Sequence, residues 1–154
     1  MKTSALWISA LVIGASVAAT GSFAVDNITS RDTPYLTSVR AKIEAKNYKA
    51  ALAELTPMLE THQHADVYSL MGFALRKTGD YKQAYTFYRK ALDFDPEHKG
   101  ALEYLGELYV ETGQVEKARE HVALLQKLCP AGCEELADLE KAVAAAAGTT
   151  AKAN

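Results

Sequence analysis

Apolar residues recur at i, i+3 and i+7 in four stretches of the chain: Leu36, Val39 and Ile43; Tyr68, Met71 and Leu75; Leu102, Leu105 and Tyr109; Leu136, Leu139 and Val143. That spacing keeps side chains on one face of a 3.6-residue helix, so each stretch predicts an amphipathic helix. A shift of 34 residues lays Gly72 on Gly106, Thr78 on Thr112, Gly79 on Gly113, Ala84 on Ala118 and Pro96 on Pro130. The apolar positions follow the same shift, Tyr88 onto Val122 among them. Gly79 and Gly113 stand where a first helix should end, because glycine enters the left-handed conformation of a helix C-terminus without steric penalty. Asp80 follows as an N-cap with Gln83 in capping-box register, opening a second helix. Asp95-Pro96 and Cys129-Pro130 close the second helices. Gly72 with Ala84, and Gly106 with Ala118, predict close approach of the two helices within each hairpin.

Upstream, Asn47-Tyr48-Lys49 and Ala51 precede Asp80-Tyr81-Lys82 and Ala84 by 33 residues, which marks a degenerate first copy. Val39 replaces its glycine, and Pro57 falls inside its second helix, where proline kinks or shortens. The predicted organisation is an all-α solenoid of helix hairpins over 32–147. It comprises a degenerate repeat at 32–64, repeats at 65–98 and 99–132, and a capping helix at 133–147 that shields the last apolar face. Residues 148–154 are small and polar, and are expected to be a disordered tail.

The segment Tyr68-x-x-Met71-Gly72-x-x-Leu75, then Ala84-x-x-x-Tyr88 and Pro96, resembles the tetratricopeptide repeat, and Leu102 to Pro130 resembles it again. The resemblance implies that stacked hairpins curve and that the first helix of each repeat lines a concave groove. Off the core stripe on those helices stand Arg40 in the first repeat and Ser69, Phe73, Arg76 and Lys77 in the second. Glu103, Tyr104, Glu107 and Glu111 follow in the third. Phe73 has two readings, an apolar anchor for a bound segment or a packing contact with the neighbouring repeat. Arg40, Arg76 and Lys77 make one end of the groove basic and the three glutamates make the other acidic, which suits a bipolar peptide. Some members of the family grip a C-terminal carboxylate with Lys, Asn and Arg. The matching positions here hold Leu36, Arg40, Leu70, Gly100 and Tyr104, so that mode is not expected.

The N-terminus changes the setting. Lys2, an apolar run from Ala5 to Ala19 and Ser22-Phe23-Ala24 follow the order of a secretory signal, expected at 1–24 and leading through a linker at 25–31. The run is shorter than the ~20 residues a spanning helix needs, so no stable membrane insertion is expected after cleavage; the likeness to short exported bacterial repeat proteins implies a periplasmic location, or secretion where there is no periplasm. Removing Lys2 leaves 16 basic against 19 acidic residues, a balance that gives no reason to expect nucleic acid. Arg76, Lys77, Lys82, Arg89 and Lys90 cluster in sequence but spread around two helices as a solvated face.

Cys129-Pro-Ala-Gly-Cys133 is the most distinctive local feature. In an oxidising compartment two such cysteines pair, and across a turn their Cα atoms fit within the ~7 Å that a disulfide allows. A bond there staples the last repeat to the capping helix, contributing about 2 kcal/mol on loop-closure grounds. A redox dithiol or a copper site remain alternatives. His62-Gln-His64 offers two imidazoles in a linker without an evident third ligand, and His98 and His121 read as surface residues. Glu103, Glu107 and Glu111 share a helix face, where solvated carboxylates are the expectation rather than acid–base catalysis. No catalytic residue, metal or cofactor is assigned. The function expected is a non-catalytic scaffold or assembly module for a protein or peptide partner. The apolar end face left by the incomplete first repeat offers a weak homodimer as a further expectation.

Overall fold

A computed structural model describes residues 34–151; the signal and linker expected at 1–31 lie outside the described residues. Every regular element among the described residues is helical. A 3-10 turn at Pro34–Leu36 leads into α1 (Thr37–Glu44) and α2 (Tyr48–Thr61). α3 (Ala65–Lys77) and α4 (Tyr81–Phe94), then α5 (Lys99–Glu111) and α6 (Val115–Leu128), form the next two hairpins, and α7 (Glu134–Ala151) closes the stack. Each helix packs on its successor, and α3 on α5 and α5 on α7 also touch, which sets the odd-numbered helices side by side in one layer.

The predicted turns form by one mechanism at three places. Gly79 and Gly113 have positive φ, and the amides after them, Asp80 N–H and Gln114 N–H, donate back to Leu75 and Tyr109 carbonyls at 2.9 and 2.7 Å. This double-bonded ending satisfies carbonyls that the helix leaves open. The first hairpin makes the same turn with Lys46 at φ 57°, its Asn47 N–H donating to the Lys42 carbonyl at 2.8 Å. Asn47 and Asp80 then cap α2 and α4 by accepting from Ala50 N–H and Gln83 N–H.

The small-residue notches take occupants other than those expected. A Cβ on Gly72 would lie 2.6 Å from the Tyr88 ring of α4, so the hairpin closes on an aromatic edge rather than on Ala84. At Gly106 a Cβ would meet Leu139 of α7 at 2.6 Å, not its own hairpin partner. Val122 stands where Tyr88 stands one period earlier, and the smaller side chain leaves the notch to the capping helix. Leu139 is fully buried there, worth roughly 2 kcal/mol for a leucine of that burial.

Several expectations are corrected. α2 runs for 14 residues through Pro57, the same length as α4 and α6, so proline does not shorten it. α7 passes the expected end at 147 and continues to Ala151, converting the first part of the predicted tail into helix. His98 and His121 are buried, not superficial. His98 Nδ1 accepts from Ala101 N–H at 3.0 Å and so caps α5, while His121 Nδ1 lies 2.8 Å from the Leu102 carbonyl and ties α6 to α5. Burial lowers the His121 pKa. No described helix is long and apolar enough to cross a membrane.

Candidate functional site

One cavity of about 300 Å³ is walled by residues of α1, α3, α5 and α7 and of the turn before α5, with none from α2, α4 or α6. The stacking explains this: helices that share one layer expose one side in common, and the off-stripe positions of each point into it. Arg40, Ser69, Phe73, Lys77, Glu103, Tyr104 and Glu107 all line the cavity, as expected from their register.

Arg76 and Glu111 do not line it. Arg76 is 3% exposed and threads between repeats. Its Nε donates to the Tyr88 hydroxyl at 3.3 Å, Nη1 to Glu111 Oε1 at 2.6 Å, and Nη2 to Glu107. Burial works against its charge, but Tyr88, Glu107 and Glu111 outweigh burial and raise its pKa. Burial likewise pushes the Tyr88 phenol up. The basic end foreseen for the groove therefore loses its central cation, which is spent joining α3 to α4 and α5.

Phe73 packs against the neighbouring repeat and also lines the cavity. Half-buried, it packs 4.8 Å from the Tyr104 ring and 6.3 Å from Tyr48, while Lys77 Nζ lies 5.2 Å from its centroid. The Tyr104 phenol beside it is pushed up to about 12 by burial, with Glu103 adding to the shift.

Sequence reasoning missed the acidic character of the floor and far wall. Asp66 and Ser69 are each 2% exposed and Glu103 is 7% exposed, so the expected solvated face is buried at its first member. Burial pushes the Glu103 carboxyl up to about 8, reinforced by Glu107, Asp138 and Glu135 and opposed by Arg76. Glu134, Glu135 and Asp138 of α7 line the same cavity. One further shift of 34 would have found them: it carries Gly100 onto Glu134 and Tyr104 onto Asp138, making the capping helix a fourth wall. Asp66 is held by two cations or donors on one oxygen, His98 Nε2 at 3.0 Å and Arg40 Nη2 at 3.7 Å from Oδ1.

The other sequence motifs lie outside the cavity lining. His64 caps α3 by accepting from Asp66 N–H at 3.3 Å, and His62 stacks on Tyr35 with centroids 4.8 Å apart. Cys129 and Cys133 meet across the α6–α7 turn with Cα atoms 5.9 Å apart and their sulfurs joined.

Stacked helix hairpins with an inner-helix groove define a class of repeat proteins built for recognition rather than for a single cofactor pocket. The sequence model of the tetratricopeptide repeat matches residues 75–143, and the chain belongs to the tetratricopeptide repeat family. The type III secretion translocator chaperone SycD of Yersinia enterocolitica superposes with a TM-score of 0.64 at 15% identity, over 75% of this chain and 83% of that one. PcrH, solved in complex with the chaperone binding region of PopD, gives 0.61 at 17% identity, over 78% and 91%. These two likenesses establish the fold. The BBSome complex member BBS4 of Bos taurus is 34% identical over 80 residues, 52% of this chain but only 15% of that relative's length.

Proposed function

We propose that this chain is a non-catalytic interaction module of the cell envelope that holds an extended segment of a partner protein in the groove between α1, α3, α5 and α7. The observation that carries the reading is the cavity walled by α1, α3, α5, α7 and the turn before α5. A surface formed by four helices from four successive units is matched to a ligand that runs across them, and the Phe73–Tyr104 pair supplies an apolar contact within it. PcrH, which shares the fold, was solved with a segment of PopD. The ligand expected here differs from the bipolar peptide suggested by sequence. With Arg76 withdrawn, acidic groups outnumber Arg40 and Lys77 along the cavity, so a segment carrying basic and apolar residues fits best. The envelope location rests on the signal-like order of Lys2, the apolar run and Ser22-Phe23-Ala24. Within this reading the Cys129–Cys133 pair is a staple that holds α7, and with it the fourth wall, against α6.

A photo-crosslinking amino acid placed at Phe73, or at the exposed Leu124 on α6, tests the groove in cells. A discrete protein adduct from position 73 and none from position 124 supports it. Adducts from 124 alone, or from both positions equally, would move the interaction to the outer helices and sink the reading.

A further inference from the structure

The floor of the groove holds polar groups that the chain itself does not satisfy. Ser69 Oγ and Asp66 Oδ2 are buried and make no hydrogen bond; His64 Nδ1 lies 3.2 Å from Oδ2 but its lone pair already accepts from Asp66 N–H. Among the described residues Glu103, 7% exposed, makes neither a hydrogen bond nor an ion pair, and its carboxyl oxygens keep some access to the cavity's solvent. Buried polar atoms without partners are few in folded proteins, and their chemistry states what is missing. Asp66 Oδ2 only accepts, Ser69 Oγ has lone pairs to offer, and Glu103 accepts once ionised. The missing group is therefore a donor with positive charge.

Resting on the groove reading above, we propose that Asp66, Ser69 and Glu103 form a subsite for one cationic side chain, lysine or arginine, of the bound partner segment. The route to it is suited to such a side chain. Leu70, Phe73 and Tyr104 line the cavity as apolar walls for an aliphatic stem, and the charged head then reaches the floor. The neighbouring charges agree. From α7, Glu134, Glu135 and Asp138 face the cavity, and from α5 Glu107; against them stand Arg40 of α1 and Lys77 of α3, with Arg76 of α3 held by Glu107 and Glu111. His98 does not fill the role. Its Nδ1 accepts from Ala101 N–H, so its proton sits on Nε2 toward Asp66 Oδ1; Oδ2 faces only His64 Nδ1, which itself accepts from Asp66 N–H and has no proton to give. A metal ion fits less well, because no three His, Cys, Asp or Glu side chains among the described residues converge as ligands.

An empty subsite keeps a proton on Glu103 near neutral pH, since its carboxyl is pushed up to about 8. A bound cation favours the ionised form and expels that proton, so affinity rises with pH until Glu103 is ionised in the free chain as well.

Pools of N-acetylated, C-amidated nonapeptides with mixed flanks and one fixed central residue (lysine, arginine or norleucine) test this by fluorescence polarisation against the full chain. The lysine and arginine pools should bind about tenfold or more tighter than norleucine, the loss expected for a charge-assisted hydrogen bond. Their affinity should rise between about pH 6 and pH 9. E103Q should remove most of the preference and flatten the pH dependence, and S69A should weaken binding of both cationic pools. Equal binding of norleucine and lysine pools overturns the subsite while leaving the groove reading intact. Binding only when the N-terminal acetyl group is omitted assigns the cation to a chain terminus and overturns the side-chain subsite. Absence of binding by every pool removes the groove reading as well.

Discussion

Arg76 separates two pictures of this protein, and its substitution measures which holds. As a groove cation, its loss would change ligand affinity and leave stability alone. As the buried joint between repeats, its loss and the loss of its partners should differ in a defined order. Arg76→Met keeps most of the stem volume and removes the buried charge. It leaves the Tyr88 hydroxyl without its donor, while Glu107 and Glu111, with side chains 24% and 35% exposed, regain water. A cost of about 2 kcal/mol follows, mostly from Tyr88 and lost packing. Glu107→Ala with Glu111→Ala does the opposite, leaving a guanidinium whose side chain is 1% exposed with only a phenol oxygen. Removing the partners of a buried charge costs about 3–5 kcal/mol. At roughly 4 °C per kcal/mol for a domain of this size, the double variant should melt about 4–12 °C below Arg76→Met. Arg76→Lys should fall near the arginine-free variant, because an ammonium cannot fork to both carboxylates. Urea and thermal unfolding followed by far-UV circular dichroism give the ranking. If Arg76→Met matches the parent, or is the least stable of the series, the joint described here is wrong.

Lys46→Gly should stabilise by about 1 kcal/mol, since a non-glycine residue at positive φ costs ~1–2 kcal/mol and glycine returns part of that as chain entropy; no rise in the urea midpoint would contradict the turn geometry. Gly72→Ala should destabilise by about 1–2 kcal/mol because the new methyl meets a buried ring, whereas Gly106→Ala should be near neutral because Leu139 can turn its methyls aside; equal effects in thermal melts would refute the difference between the notches. Glu103 has a folded pKa raised above its unfolded value, so its contribution is fully present below about pH 4.5 and lost as pH rises through about 8. Glu103→Gln should therefore flatten the decline of stability with pH, by on the order of 3 kcal/mol over that window, and an unchanged profile in urea titrations would show that the carboxyl is not buried as described.

The repeat was legible because its signals are local. Glycine at a helix end, an aspartate cap and apolar residues at helical spacing each act within a few residues, and a 34-residue shift lines them up whatever the tertiary packing. The register of the groove was legible for the same reason: Ser69, Phe73, Glu103, Tyr104 and Glu107 share a side of their helices by spacing alone. Charge state was not legible, because it depends on what the neighbouring repeat places opposite. Arg76 and Lys77 are adjacent in sequence, yet one is buried among Glu107, Glu111 and Tyr88 and the other is exposed beside Phe73. Glu103 and Glu111 lie two turns apart on one helix, yet the first is buried without a hydrogen bond and the second pairs with Arg76. His98 reads as a surface residue from sequence, yet its ring bridges the α5 N-terminus and Asp66.

These misreadings share a direction. Each treated a polar residue on a helix as facing water, whereas stacking in a solenoid gives the inner face a second neighbour one repeat away. The consequence for recognition is a groove that loses Arg76 to the joint between repeats while Glu103 is left without a hydrogen bond or ion pair. A helical-repeat surface of this kind has its selectivity set by which charges the stack consumes, so the Arg76 joint and the cation preference of the groove are two readings of one arrangement. Substituting Glu107 should couple them: removing it leaves Arg76 with less compensation and the groove with less negative charge, lowering stability and affinity for cationic segments together. Lys77→Ala, which touches the groove but not the joint, should raise affinity for such segments at unchanged stability, and calorimetric titration beside thermal unfolding would expose the pairing as false if the two variants moved both quantities alike.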